Sequence, residues 1–200
     1  SDTLKLTDGN IFTGVGNMLK LTEDRTAVDP IGGRPNSFVD GPMQWIIANN
    51  SSERIFPIGK KDRYRPLAIS RANTPQTWEV EYTDTIARVV PSIDPRMLPD
   101  PTNIPVIERV SIQEFWRVET TGGVEADIEL SWGDESGVST IPADQNNLLV
   151  LGYNDEDSVW NSYGGQGVTF DGTTGSVTSG AAVPWINPSG VQPAPDPANV

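Results

Sequence analysis

Carboxylate side chains that could act in pairs are the first chemical feature of this 200-residue chain. Glu79 and Glu81 form one pair, and Glu125, Asp127 and Glu129 form a second group. Two carboxyl groups about 5 to 10 Å apart suffice to hydrolyse a glycosidic bond. Both groups alternate with apolar residues, however, as the polar face of a regular strand does, and such a face has no apolar pocket to raise a carboxyl pKa. The pattern therefore favours solvated acidic rows over a glycosidase.

The residue types that the chain lacks exclude several other kinds of active site. It contains no histidine and no cysteine. A catalytic site built on a Ser-His-Asp or Cys-His arrangement is therefore impossible within it, and so are disulfides and the usual histidine and cysteine ligands of zinc. We predict that the protein is not an enzyme and that it requires no cofactor.

Aromatic side chains are the next candidates, because exposed Trp and Tyr rings are the stacking platforms with which β-sandwich faces bind glycans. The chain has six Trp and four Tyr. Three of the Trp residues occupy apolar positions of alternating strands and are predicted to lie in the core: Trp78, Trp116 and Trp132. The residues near turns or strand ends form the candidate glycan platform: Trp45, Trp160, Tyr163 and Trp185.

The acidic charge is concentrated in the C-terminal part of the chain. The net charge is −13, and residues 118–200 hold 12 acidic residues and no basic one. This argues against nucleic acid or an anionic membrane as a partner, because phosphate binding needs Lys or Arg. A solubilising surface is one explanation. Calcium is the other, and its candidate ligands are Asn154, Asp155 and Asp157, in a turn that also contains Glu156.

Short strands must position these side chains. The chain has 19 glycines and 17 prolines, well above the average share of roughly 12%, which favours many turns. Trp78, Val80 and Tyr82 alternate with the acidic pair Glu79 and Glu81, and residues 125–132 alternate in the same way, as half-buried strands do. The pattern predicts an all-β, antiparallel β-sandwich with little or no helix. Its predicted core consists of Phe56, Ile58, Leu67, Ile69, Trp78, Val80, Tyr82, Ile112, Trp116, Ile128, Leu130, Trp132, Leu149 and Leu151.

The chain divides into three parts. Residues 1–36 are predicted to form an N-terminal β hairpin or a solenoid-like cap, followed by a loop. Residues 37–186 form the β-sandwich domain, and residues 187–200 form a linker or tail rich in Pro and Ala. A linker predicts neighbouring domains of the same polypeptide. No stretch approaches the ~20 apolar residues that a membrane span needs.

Several short motifs follow one another along the chain. They are SFVDGP at residues 37–42, FPIG at residues 56–59 and YRPL at residues 64–67. In this order they resemble a segment of large secreted and cell-surface proteins of Bacteroidetes, of the type exported by the type IX secretion system. Further matches lie at residues 4–9, 17–21, 114–118, 158–160, 164–165 and 175–179, so that the resemblance covers most of residues 3–186.

The resemblance implies an extracellular or cell-surface location and a place within a multidomain protein. Together with the absence of catalytic residue types, it predicts a non-catalytic structural or adhesive module. The alternative is a carbohydrate-binding module that uses exposed Trp and Tyr. The expected partners are neighbouring domains and a surface glycan or protein.

Overall fold

The computed structural model describes residues 4–22, 33–47, 53–71, 76–84, 111, 113–154, 159–185 and 195–196. Among these residues nearly all regular structure is strand, and the helical segments are the 3₁₀ turn Asp134–Ser136 and the helix α1, Pro142–Gln145. The predicted all-β class is confirmed. In the described part of the chain, no helix has the length and apolar character that crossing a membrane requires.

The strands in the described residues are short. In chain order they are β1 Ile11–Phe12, β2 Leu19–Leu21, β3 Val39–Asp40, β4 Met43–Ile47, β5 Arg54–Phe56, β6 Ile58–Lys60, β7 Arg63–Tyr64, β8 Leu67–Ser70, β9 Gln76–Thr83, β10 Phe115–Thr120, β11 Val124–Trp132, β12 Leu151–Asn154, β13 Val159–Ser162, β14 Gln166–Phe170, β15 Gly175–Thr178, β16 Val183–Trp185 and β17 Pro195–Asp196.

These strands form four sheets, named here A to D. Sheet A has the order β1-β3-β6-β7, and sheet B has the order β10-β9-β4-β2. Sheet C has the order β14-β15-β11-β8-β5, and β16 also pairs with β11. Sheet D has the order β13-β12-β17. Strand β17 lies within the stretch that was predicted to be a linker, and it pairs with β12.

The first strands pair in parallel, which differs from a purely antiparallel sandwich. Ile11 of β1 lies beside Val39 of β3, and Val39 lies beside Ile58 of β6, all in parallel register. Leu19 of β2 likewise lies beside Met43 of β4. Like side chains stacked at one-strand intervals are the arrangement of rungs in a β-solenoid. The strands of residues 4–22 therefore belong to the same sheets as the later strands.

One hydrophobic core joins sheets A, B and C. Of the predicted core residues that the structure describes, all are buried except Leu149, which is half-buried. Leu148 and Val150 are buried in its place. The error has a physical reason: β12 begins only at Leu151, so the alternation of a strand does not extend back to these residues. Ile112 lies outside the described residues.

The acidic row of β11 is less exposed than the alternation predicted. Glu125 is exposed, but Glu129 is half-buried and Asp127 is buried. The reason is that β11 lies between neighbours, since β8 pairs on one side and β15 and β16 on the other. Arg71, which follows β8, donates two hydrogen bonds to the Asp127 carboxylate and compensates its charge.

Candidate ligand-binding cleft

A cleft of about 500 Å³ opens beside the C-terminal end of β11. Its lining comes from three segments that are distant in sequence: the turn and strands around residues 62–66, the last four residues of β11, and the β14–β15 hairpin. A cavity of this size lies within the range of small-molecule sites, which is roughly 300 to 1,000 Å³. The cleft is therefore large enough for a ligand of one to a few rings.

Two stacked aromatic rings line the cleft. The Trp132 and Phe170 rings lie with their centroids 5.4 Å apart and their planes at 21°. Trp132 is only 4% exposed, whereas Phe170 is 37% exposed. Gly175 faces both residues across the strands, and a Cβ at this position would lie 2.3 Å from the indole Cζ2. The glycine thus makes room for the indole ring.

Polar groups lie beside the rings. The indole Nε1–H of Trp132 is buried and has no hydrogen-bond acceptor. The hydroxyls of Thr169 and Ser176 lie 2.8 Å apart, and Ser131 donates from its hydroxyl to the Pro66 carbonyl at 2.8 Å. Burial raises the pKa of the half-buried Tyr64, which also lines the cleft, to about 12. Its phenol is therefore protonated at neutral pH and can donate a hydrogen bond.

Three carboxylates line the cleft: Asp62, Glu129 and Asp171. In the described part of the chain none of them takes part in an ion pair. Glu129 accepts a hydrogen bond from the Thr178 hydroxyl at 3.1 Å. Asp171 accepts one from the Thr174 hydroxyl at 2.7 Å and another from the Thr174 backbone N–H at 3.1 Å, and these bonds lower its pKa. The cleft therefore carries negative charge that its own ion pairs do not neutralise.

A buried charged network supports the cleft from below. Arg65 donates from Nε to Glu114 at 3.0 Å, from Nη2 to Glu135 at 3.0 Å and from Nη1 to the Tyr64 carbonyl at 3.1 Å. Arg65 is 5% exposed and Glu114 is fully buried. A Cβ at Gly133 would lie 2.6 Å from the guanidinium nitrogens, so only glycine fits there. The charge of Arg65 is thus already compensated by two carboxylates.

Tyr82 completes this network. Its hydroxyl donates to Glu114 Oε2 at 2.8 Å. Burial, and then the negative charge of Glu114, raises the pKa of Tyr82 well above its usual range. The other oxygen of Glu114, Oε1, is buried and has no hydrogen-bond partner. Residue 114 shares the strand parity of Trp116 and Val118, and a charge on an apolar parity was the signal that could have identified a buried ion pair.

The acidic pair of β9 has a different environment. Arg117 Nη2 donates to Glu79 at 3.3 Å and to Glu81 at 3.1 Å, and Nη1 lies 3.4 Å from Glu119. Partial burial raises the pKa of Glu79, so the expectation that no burial acts on these carboxyls is wrong for this residue. The arrangement is a cross-strand ion-pair cluster and leaves no free carboxyl pair.

The structure corrects part of the predicted glycan platform. Trp45 is 1% exposed and packs edge-on against Phe56 at a centroid distance of 5.5 Å, so it belongs to the core and cannot stack on a ligand. Tyr163 is half-buried against the core. Trp160 and Trp185 lie in β13 and β16, but their side chains lie outside the described part of the structure. Neither Trp45 nor Tyr163 lines the cleft.

The predicted calcium ligands lie largely outside the described residues. Asp155 and Asp157 are among those that are not described, and only the backbone of Asn154, the last residue of β12, is described. Among the residues that the structure does describe, no three or more acidic side chains gather as a metal site requires. Calcium binding at this turn stays a prediction.

Comparison with known proteins adds no relative: no family model matches the chain, and no curated protein or solved structure is significantly similar to it. The cleft and its chemistry therefore carry the functional argument.

Proposed function

We propose that this domain is a non-catalytic adhesive module that binds a carbohydrate ring in the cleft beside Trp132 and Phe170. The observation that carries this proposal is a stacked pair of aromatic rings next to hydroxyl and carboxylate groups in a cavity of about 500 Å³. Sugar sites combine these two features, because a pyranose ring has an apolar C–H face for stacking and a polar edge for hydrogen bonds.

Each part of the cleft has a partner on such a ring. Trp132 covers one side of Phe170, and the exposed part of Phe170 is available to the C–H face of the sugar. The carboxylates of Glu129 and Asp171 accept hydrogen bonds from sugar hydroxyls. The indole N–H of Trp132, which has no acceptor within the protein, would donate to a sugar oxygen. Supplying that acceptor removes the cost of a buried unpaired donor.

The proposal of a non-catalytic role is supported by the charge state of the cleft carboxylates. A glycosidase needs one carboxyl group whose raised pKa keeps it protonated, so that it can protonate the leaving group. The hydrogen bonds from Thr174 instead lower the pKa of Asp171. The chain also offers no histidine or cysteine as a substitute.

A glycan array tests the proposal directly. We expect the wild-type protein to bind a defined set of glycans with micromolar affinity. Phe170→Ala should weaken that binding about tenfold or more, because ring stacking contributes ~0.5 to 1.5 kcal/mol beyond the buried area. The matched control is Phe12→Ala, since Phe12 is 72% exposed and does not line the cleft. An array without hits, or hits that Phe170→Ala leaves unchanged, would overturn the proposal.

A structural role is the second candidate, and the outer edge of β1 and β2 favours it. The backbone N–H groups of Gly9, Ile11 and Thr13 donate to the following rung, so those of Asn10 and Phe12 point away from it. Ile11, Leu19 and Leu21 are half-buried, whereas their neighbours one rung further in are fully buried. Another strand of the same extracellular, multidomain polypeptide would cover this edge in parallel register.

Hydrogen exchange distinguishes the structural role. Exchange at the amides of Asn10 and Phe12 should be fast in the isolated domain and slow in a longer polypeptide that includes the neighbouring domain. Equal exchange in both forms would contradict the structural candidate. It would leave the carbohydrate proposal untouched, because the cleft lies elsewhere.

A further inference from the structure

We propose that the cleft selects saccharides that carry a positive charge, namely amino sugars with a free amine, over neutral saccharides of the same shape. This inference rests on the proposed carbohydrate-binding function and specifies its ligand. It follows from the balance of charge around the aromatic rings.

The basic residues next to the cleft are already engaged elsewhere. Lys60 pairs with Asp40 at 3.0 Å, and Lys61 pairs with Asp84. Arg65 is held between Glu114 and Glu135. The remaining base of this turn is Arg63, which interacts with Tyr82, Glu135 and Asp84. None of these four cations pairs with a cleft carboxylate in the described part of the chain.

The three cleft carboxylates are therefore free to meet a cation from the ligand. Asp62, Glu129 and Asp171 lie on three different segments, so the negative charge surrounds the cavity rather than forming one surface row. The lowered pKa of Asp171 keeps this group ionised in weakly acidic solution, where an amine is also charged. Aromatic ring faces add attraction for an ammonium group.

Other features of the cleft favour a polar ring over a simple alkylammonium ion. The Thr169 and Ser176 hydroxyls and the unpaired indole N–H of Trp132 require hydrogen-bonding groups around the ligand. A methylated amine offers none of these. An amino sugar provides hydroxyls, a ring oxygen and an ammonium group on one ring that can stack on Phe170.

Isothermal titration with two matched oligosaccharides tests the inference. The probes are β-1,4-linked glucosamine oligomers with free amines and their fully N-acetylated counterparts of equal length. We expect the free-amine oligomer to bind about tenfold more tightly at low salt, because exposed charge pairs contribute modestly and additively. This advantage should shrink at high salt, where exposed charges are screened.

Substitutions in the cleft separate charge from stacking. The double variant Asp62→Asn with Glu129→Gln should abolish the preference for the free amine while leaving the affinity for the N-acetylated oligomer unchanged. Phe170→Ala should weaken both ligands. The matched control is Glu125→Gln, which removes an exposed acid from the same strand without touching the cleft. All four positions are exposed or half-buried, so the variants should fold, and thermal melts would verify this.

The possible results have distinct meanings. Equal or tighter binding of the N-acetylated oligomer overturns the charge preference but leaves carbohydrate binding in place. Non-specific attraction of a polycation to a protein of net charge −13 would respond equally to Glu125→Gln and ignore Phe170→Ala, and this result also overturns the inference. If neither oligomer binds while the array shows a neutral glycan bound through Phe170, only the charge preference fails. If cleft substitutions alter no binding in either experiment, both proposals fail.

Discussion

The carboxylates of β9 and those of the cleft are chemically alike but have different surroundings. Glu79 and Glu81 share the guanidinium of Arg117, so their polar strand face is neutralised where it stands. Glu129 and Asp171 lie beside a pair of aromatic rings and have no basic partner among the described residues. The comparison shows that acidic residue types do not define a site. What distinguishes the cleft is unpaired charge within a cavity that has an apolar wall.

The buried ion pair beneath the cleft gives the largest predicted effect. Glu114→Gln keeps the shape of the side chain but leaves Arg65 with Glu135 as its one carboxylate partner, so we expect a loss of about 2 to 3 kcal/mol in the free energy of unfolding. Urea denaturation measures this. Glu125→Gln, on the exposed face of β11, should change stability by less than about 0.5 kcal/mol. Equal stabilities for the two variants would contradict the role of the ion pair.

The same substitution has a pH signature. The negative charge of Glu114 disfavours ionisation of Tyr82, so its removal should lower the pKa of Tyr82 towards the ordinary value of about 10. Because the folded-state pKa of Tyr82 lies above its unfolded value, its contribution to stability is complete below pH ~10 and is lost at higher pH. Ultraviolet titration of Glu114→Gln and wild type measures the shift, and identical alkaline titrations would contradict the contact.

Calcium binding by the third acidic group, Asn154, Asp155 and Asp157, has a smaller expected effect. At ~1 mM calcium and an extracellular-type affinity of ~10⁻⁴ M, linkage adds about 1.4 kcal/mol. The melting temperature should then rise by about 3 to 6 °C between EDTA and calcium at fixed ionic strength. Equal midpoints would exclude calcium, and a rise that survives Asp155→Asn with Asp157→Asn would place the ion at another site.

Releasing the acidic pair of β9 sharpens the comparison most, although its effect on stability is the smallest. Arg117→Gln should cost only about 0.5 kcal/mol, because the ion pairs are partly exposed. It should raise the pKa of Glu79 further, since Arg117 lowers it in the wild type. The freed carboxylates should not bind a glucosamine oligomer, because no ring pair lies beside them. A gain of binding equal to that of the cleft would show that charge alone is sufficient.

The sequence predicted the features that depend on local periodicity. The alternation around Trp78 and Leu130 identified β9, β11 and most of the core, because a half-buried strand repeats every two residues. The Asp171-Gly172 turn likewise identified the β14–β15 hairpin. These signals are contained within a few consecutive residues.

Features built from distant segments were not predicted. The parallel pairing of β1 with β3 and the burial of Asp127 beside Arg71 depend on which strands become neighbours. The cleft joins residues near positions 64, 132 and 170, and no local pattern connects them. Trp132 was assigned correctly to the core, but the same ring also forms a wall of the cleft through its contact with Phe170.

Nuclear magnetic resonance of the indole N–H groups tests the central claim most directly. The Trp132 Nε1–H signal, assigned by its loss in Trp132→Phe, reports on the donor that has no acceptor in the free protein. Titration with the glucosamine oligomer should shift this signal downfield as the N–H gains an acceptor, while the indole signals of the buried Trp45 and Trp116 stay in place. A Trp132 signal that stays unchanged at saturating ligand would contradict a carbohydrate site in this cleft.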